Sequence, residues 1–81
     1  MNPKNKKVIA YSTPTCPYCV MAKNFFKDNK VVFEDVDVSA DRARGQEMVN
    51  KSGQMGVPVI DIEGEIVVGF QPKVFEMLFK K

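Results

Sequence analysis

Val8-Ile9-Ala10-Tyr11 leads through Ser12 into Thr13-Pro14-Thr15-Cys16-Pro17-Tyr18-Cys19, and a helix-like segment follows from Val20 to Phe26. The apolar, β-branched stretch Lys7 to Ser12 reads as a buried strand. Pro17 suits a first helical position, where its missing N–H would be unpaired anyway. The stretch is therefore a strand, a turn and a helix N-terminus, and the turn carries both cysteines of the chain. A Cys-x-x-Cys pair in that setting points to thiol–disulfide chemistry.

Working outward, the helix runs from Pro17 to about Asn29, with Val20, Met21, Ala22, Phe25 and Phe26 as a broad apolar face. Val31 to Val38 alternates and reads as a second strand at a sheet edge. Ser39 offers an N-cap for a second helix, Ala40 to about Ser52, with Ala43, Met48 and Val49 facing inward. Gly45 interrupts that pattern, and Gly53 closes it. Val57 to Ile62 and Glu65 to Val68 flank Glu63-Gly64 as a β-hairpin. Pro72 opens a last helix with Val74, Phe75, Leu78 and Phe79 on one stripe.

The expected architecture is α/β, with order β-α-β-α-β-β-α and helices on both faces of a four-stranded mixed sheet. Crossover helices predict three mutually parallel strands, with the hairpin's second strand antiparallel. The 81 residues form one domain, 1–81, with no linker or repeat.

Composition excludes several functions. The chain has no histidine, so Cys-His and Ser-His pairs and imidazole metal ligands are absent. Two cysteines cannot complete a four-ligand zinc site within one chain, and no metal is expected. The net charge is +2, with basic ends at Lys4, Lys6, Lys7, Lys80 and Lys81 and no aromatics interleaved among them, so nucleic acid is not expected as a partner. No apolar run is long enough to span a bilayer, and the N-terminus shows no signal peptide, so the expected location is cytoplasmic.

Cys16, at the helix N-cap, is the candidate nucleophile because unpaired backbone N–H groups and the macrodipole favour an anion there. Cys19 lies one turn further in, more buried, as the candidate resolving thiol. Lys23, two turns along from Cys16, adds a little positive potential or is a solvated helix residue. The alternatives are a pair of packed thiols or half of an intermolecular zinc site. Pro58 begins a strand that should be central, which is awkward for proline. Either its peptide bond is cis, leaving Val57's backbone free for a peptide-like substrate, or a trans proline simply starts the strand. Glu34, Asp35, Asp37 and Asp41 form an interaction patch or a solvated edge and helix start.

These blocks resemble the glutaredoxin family. Tyr11 to Cys19, with its Cys-Pro-Tyr-Cys core, looks like the glutaredoxin active-site segment. Gly53-Gln54-Met55-Gly56-Val57-Pro58-Val59-Ile60 resembles the cis-proline segment, and Gly69-Phe70-Gln71-Pro72 stands where the last binding loop would be. The resemblance covers essentially the whole chain. It implies a thioredoxin fold and a thiol–disulfide oxidoreductase of cell redox homeostasis and electron transport, with glutathione as co-substrate. Its partners would be disulfide-containing or glutathionylated proteins. Cys16 would attack and Cys19 would resolve. Thr13, Thr15, Tyr18 and Met55 would flank the glutathione groove, with Val57 beside Pro58 pairing the glutathione cysteine. Gly69, Phe70 and Gln71 would receive the γ-glutamyl end.

Three departures weaken the glutathione groove. Thr13 stands where many relatives carry lysine, and Gly56 replaces the threonine usual before Val-Pro. Phe70-Gln71 replaces a glycine and an acidic residue, and resembles redoxins that serve ribonucleotide reductase and take electrons from thioredoxin reductase. Lys51 or Lys73 would compensate, or stand as solvated cations, and Phe70 would otherwise pack in the core. A third reading is a scaffold in which Cys16 thiolates of two chains and two glutathiones hold an iron–sulfur cluster.

Overall fold

A computed structural model describes residues 7–80. Lys4, Lys6 and Lys81 of the basic ends lie outside the described residues. The elements are β1 (Val8–Ser12), α1 (Pro17–Asp28), β2 (Glu34–Asp37), α2 (Arg42–Ser52), β3 (Val59–Ile62), β4 (Glu65–Val68) and α3 (Pro72–Lys80). The sheet order is β2-β1-β3-β4, which places β2 at an edge as its alternation suggests. This is a thioredoxin fold.

All five residues of β1 are buried, because helices cover both faces of the central strand. Val8 and Ala10 point to one side and pack with Ala22, Phe26, Ile60, Phe75 and Phe79. Ile9 and Tyr11 point to the other, against Met48, Val36 and Val59. Phe26 is the hub of the first cluster, with ring centroids 5.0 Å from Phe75, 5.5 Å from Phe33 and 5.9 Å from Phe79. Truncating such a buried ring to alanine costs about 3–5 kcal/mol. Val20 and Met21 are exposed rather than inward, since α1 turns its Cys19, Ala22 and Phe26 face to the sheet. Ala43 is likewise exposed on α2.

One expectation about strand direction fails. β1 and β2 are parallel, but β3 runs antiparallel to β1. Asp37 ends β2 beside Ser12, and Val59 starts β3 beside Tyr11, so the chain leaves and re-enters the sheet at one end. Residues 38–41 and 53–58, outside α2, supply the length to double back, and no crossover to the far end is made. The correction matters for the site. A parallel β3 would start at the end of the sheet remote from Cys16, and the antiparallel one starts beside it.

The caps differ in detail. Asp41, not Ser39, caps α2, accepting from the Arg44 N–H at 3.1 Å. Ser39 is taken by Asp37, whose carboxylate accepts the Ser39 N–H at 2.9 Å. Gly53 ends α2 at φ 74°, and Gly45 sits inside an unbroken helix. The β3–β4 turn has positive φ at both Glu63 (52°) and Gly64 (90°), the twist a two-residue hairpin needs.

Candidate functional site

Cys16 has extended backbone (φ −93°, ψ 112°) and is the N-cap of α1. Its N–H donates to the Thr13 carbonyl at 3.4 Å, which closes the turn, and its carbonyl accepts the Val20 N–H at 3.2 Å. Its sulfur accepts the Cys19 N–H at 3.2 Å, so the thiol itself does the capping. That bond aims a backbone donor of the first turn at Sγ, the kind of contact that favours charge on a capping atom.

Cys19 is fully buried and Cys16 is partly open. Burial pushes the Cys19 thiol up to about 11, with the side-chain contact to Cys16 adding to the rise. The Thr13 backbone and the Lys23 charge pull it back. The two thiols thus divide into an accessible sulfur at a helix terminus and a sheltered one behind it.

The Val57–Pro58 peptide bond is cis. The Cys16 thiol donates to the Val57 carbonyl across 3.8 Å, joining the α1 turn to the start of β3. The Pro58 carbonyl accepts the Gly69 N–H at 2.8 Å, which ties the β4–α3 loop to the same point. Gly69 has φ 86°, a conformation that suits glycine. Thr13, Cys16, Val57, Pro58 and Gly69 are therefore linked into one patch.

Among the described residues, the remaining expected residues make no hydrogen bond to Cys16 or Val57, and Met55 lies against α2 with Val38, Gly45 and Met48. Thr15 and Gln71 are exposed, and Tyr18 and Met55 are 61% and 81% exposed. Phe70 is half-buried, its ring edge-on to Phe25 at 6.3 Å and 6.2 Å from Phe75. The Gln71 side-chain amide folds back to donate to the Val68 carbonyl at 2.7 Å.

Lys51 is not a solvated cation. Its ammonium lies 2.7 Å from Asp61 and donates to the Tyr11 hydroxyl at 2.9 Å. Tyr11 in turn donates to Glu47. This network lies on the α2 face of the sheet, where Lys51 and Asp61 line a hollow with Lys7, Ile9, Glu63 and Gly64. The acidic residues are equally engaged: Glu34 with Arg44 at 2.8 Å, and Asp35 with Lys23 at 3.3 Å and Ser12 at 3.1 Å. Lys23 and Asp35 are named by the sequence separately; their pairing, and the Ser12 hydroxyl that anchors it, emerge only in the fold. The only local signal for it is the i, i+4 spacing of Cys19 and Lys23.

The comparisons fit this geometry. Residues 8–67 match the glutaredoxin family model. The chain belongs to the glutaredoxin family. The glutaredoxin-like 8.6 kDa protein in the rubredoxin operon of Clostridium pasteurianum is 45% identical over 71 residues, 88% of this glutaredoxin and 95% of that protein. Glutaredoxin 3 of Escherichia coli K12 is 34% identical over 59 residues, 73% of this chain and 71% of that one. The crystal structure of the thioredoxin-like protein BC3987 superposes with a TM-score of 0.83 at 35% identity, covering 88% of this glutaredoxin and 97% of that chain. Glutaredoxins are thiol–disulfide oxidoreductases, and this one carries the Cys16/Cys19 pair. Among the described residues, no helix is long and apolar enough to cross a membrane, and no group of three or more acidic, cysteine or histidine side chains is gathered for a metal ion.

Proposed function

We propose that this chain is a single-domain (1–81) cytoplasmic dithiol glutaredoxin that reduces protein disulfides or glutathione mixed disulfides, with glutathione as its reductant. The observation that carries the reading is the asymmetry of the two thiols: Cys16 capped by the Cys19 N–H and facing Val57, Cys19 buried one turn behind.

In the first step the Cys16 thiolate attacks one sulfur of the substrate disulfide. A Cys16 mixed disulfide forms and the other substrate sulfur leaves as a thiolate. Cys19 loses its proton and attacks the Cys16 sulfur, which releases the second substrate sulfur and leaves a Cys16–Cys19 disulfide. Two electrons have passed to the substrate. Two glutathione molecules then restore the dithiol and leave as glutathione disulfide. In this reading Thr13, Thr15, Tyr18 and Met55 border the glutathione, Val57 and Pro58 present backbone to its cysteine, and Gly69, Phe70 and Gln71 take its γ-glutamyl end.

A second reading, a redoxin reduced by thioredoxin reductase, is favoured by one specific set of contacts. Thr13 brings no charge, the Gln71 amide is spent on Val68, and Lys51 is committed to Asp61, so few groups are left for glutathione's carboxylates. The deciding experiment supplies electrons either through glutathione and glutathione reductase or through thioredoxin reductase. Turnover with the first source supports the glutaredoxin reading. Turnover with the second alone replaces it. Cys16→Ser should abolish exchange with either source, while Cys19→Ser should spare part of the activity on glutathione mixed disulfides, where glutathione itself resolves the intermediate. Equal loss in both variants would contradict the assigned roles.

A further inference from the structure

Resting on the dithiol reading, the resolving step poses a physical difficulty. Cys19 is fully buried, yet it must become an anion to attack. The groups around it define what eases that change. Lys23 is one helical turn further along α1, at the i, i+4 spacing that puts two side chains on one face. Its side chain is only 20% exposed, and its ammonium is held 3.3 Å from Asp35 of β2. Asp35 is itself anchored by the buried Ser12 hydroxyl at 3.1 Å. Ser12, Pro14, Lys23, Asp35 and Asp37 line an open hollow of about 250 Å³, room for several waters.

Among the described residues, Lys23 is the cation whose charge acts on the Cys19 thiol. The Cys16 sulfur accepts the Cys19 N–H from the helix cap, and Asp35 and Asp37 border the hollow from β2. From β3 and α3, the groups packed around Ala22 and Phe26 are the apolar Ile60, Ile62, Phe75, Leu78 and Phe79. Lys51 belongs to the network with Tyr11 and Asp61 on the opposite sheet face.

We propose that Lys23 is a positioning residue for the resolving step: held by Asp35 one turn from Cys19, its ammonium supports the Cys19 thiolate as that sulfur attacks the Cys16 mixed disulfide. The S–S bond to the substrate breaks as the Cys16–Cys19 bond forms. The Cys19 proton is released to solvent, and the departing substrate sulfur takes the electron pair. Burial alone would push Cys19 up and slow this step at neutral pH, and the Lys23 charge opposes that rise.

The test separates the two thiol steps. Reduced protein is mixed with one equivalent of 5,5′-dithiobis(2-nitrobenzoate), which releases one coloured thiolate when Cys16 attacks and a second when Cys19 resolves. For Lys23→Met the second release should slow about three- to tenfold relative to the first near neutral pH, the effect of losing one partly screened charge a turn away. The gap should narrow as pH rises, and Lys23→Arg should restore most of the rate. Salt should slow the second release in the wild type more than in Lys23→Met. An unchanged second release in Lys23→Met overturns the proposal. So does a slow release in Lys23→Met and Lys23→Arg alike at every pH, which would mean a merely structural role. Absence of the first release from the wild type would instead defeat the dithiol reading itself.

Discussion

Lys51→Met is the sharpest probe of what ties α2 to the central strands. Asp61 lies in the central strand β3 with its side chain 11% exposed, and Lys51 is its cationic partner at 2.7 Å. Removing one member of a buried ion pair costs about 3–5 kcal/mol, because the other charge is left without compensation. The Lys51 side chain is itself 32% exposed, so water screens part of the interaction, and about 1.5–3 kcal/mol is the expected loss. For a domain of this size that lowers the melting temperature by roughly 6–24 °C. Urea unfolding followed by circular dichroism should show a lower midpoint with an unchanged slope. Lys51→Met combined with Asp61→Asn should recover at least half of the loss. Asparagine removes the stranded charge and keeps the oxygen that accepts the Gly64 N–H at 2.7 Å. The pH dependence follows from the direction of the shift. Lys51 is raised above its ordinary 10.5, first by its bond to Asp61, so the pair's contribution is complete below that value and is lost in stronger alkali. The difference between wild type and variant should therefore hold across neutral pH. A single-variant loss below about 0.5 kcal/mol, or a double variant no better than the single, would refute this account of the network.

Two further outcomes concern the thiols and the groove. In the reduced protein, iodoacetamide should label the partly open Cys16 first and reach Cys19 only as pH nears 11, and mass spectrometry finding the reverse order would reverse the assigned roles. Thr13→Lys should lower the apparent glutathione KM at low salt by placing a cation beside the Cys16 turn, with a smaller gain at high salt. An unchanged KM would mean that position 13 does not face a glutathione carboxylate, and the thioredoxin-reductase reading would then lead.

Local chemistry made much of this molecule legible from its residues. Pro17 at the first turn, Gly53 at a C-terminus and Glu63-Gly64 between two extended runs each dictate a backbone conformation by themselves. The structure bears them out. The direction of β3 was not legible, because a buried run such as Val59–Ile62 has the same pattern read either way. What sets it is the path of residues 53–58, a property of the whole connection. Ser39 and Asp41 are both competent caps, and the choice fell to Asp41 because Asp37 engages Ser39. Lys51 with Asp61 and Lys23 with Asp35 are pairs across ten and twelve residues of chain, made only when different elements pack. Such pairings leave no mark on periodicity.

The acidic edge strand has a consequence for the protein in a crowded solution. β2 ends the sheet with Glu34 and Asp35 exposed and Asp37 half-exposed, so one side of its backbone is open to a passing strand. A second molecule adding its own strand there would have to seat beside three carboxylates, two of them already tethered to Arg44 and Lys23. Charged, short edges of this kind resist the sheet-to-sheet growth that begins aggregation. The side chains that hold Lys23 and Arg44 in place thus also make the β2 edge of the sheet a poor template for strand addition.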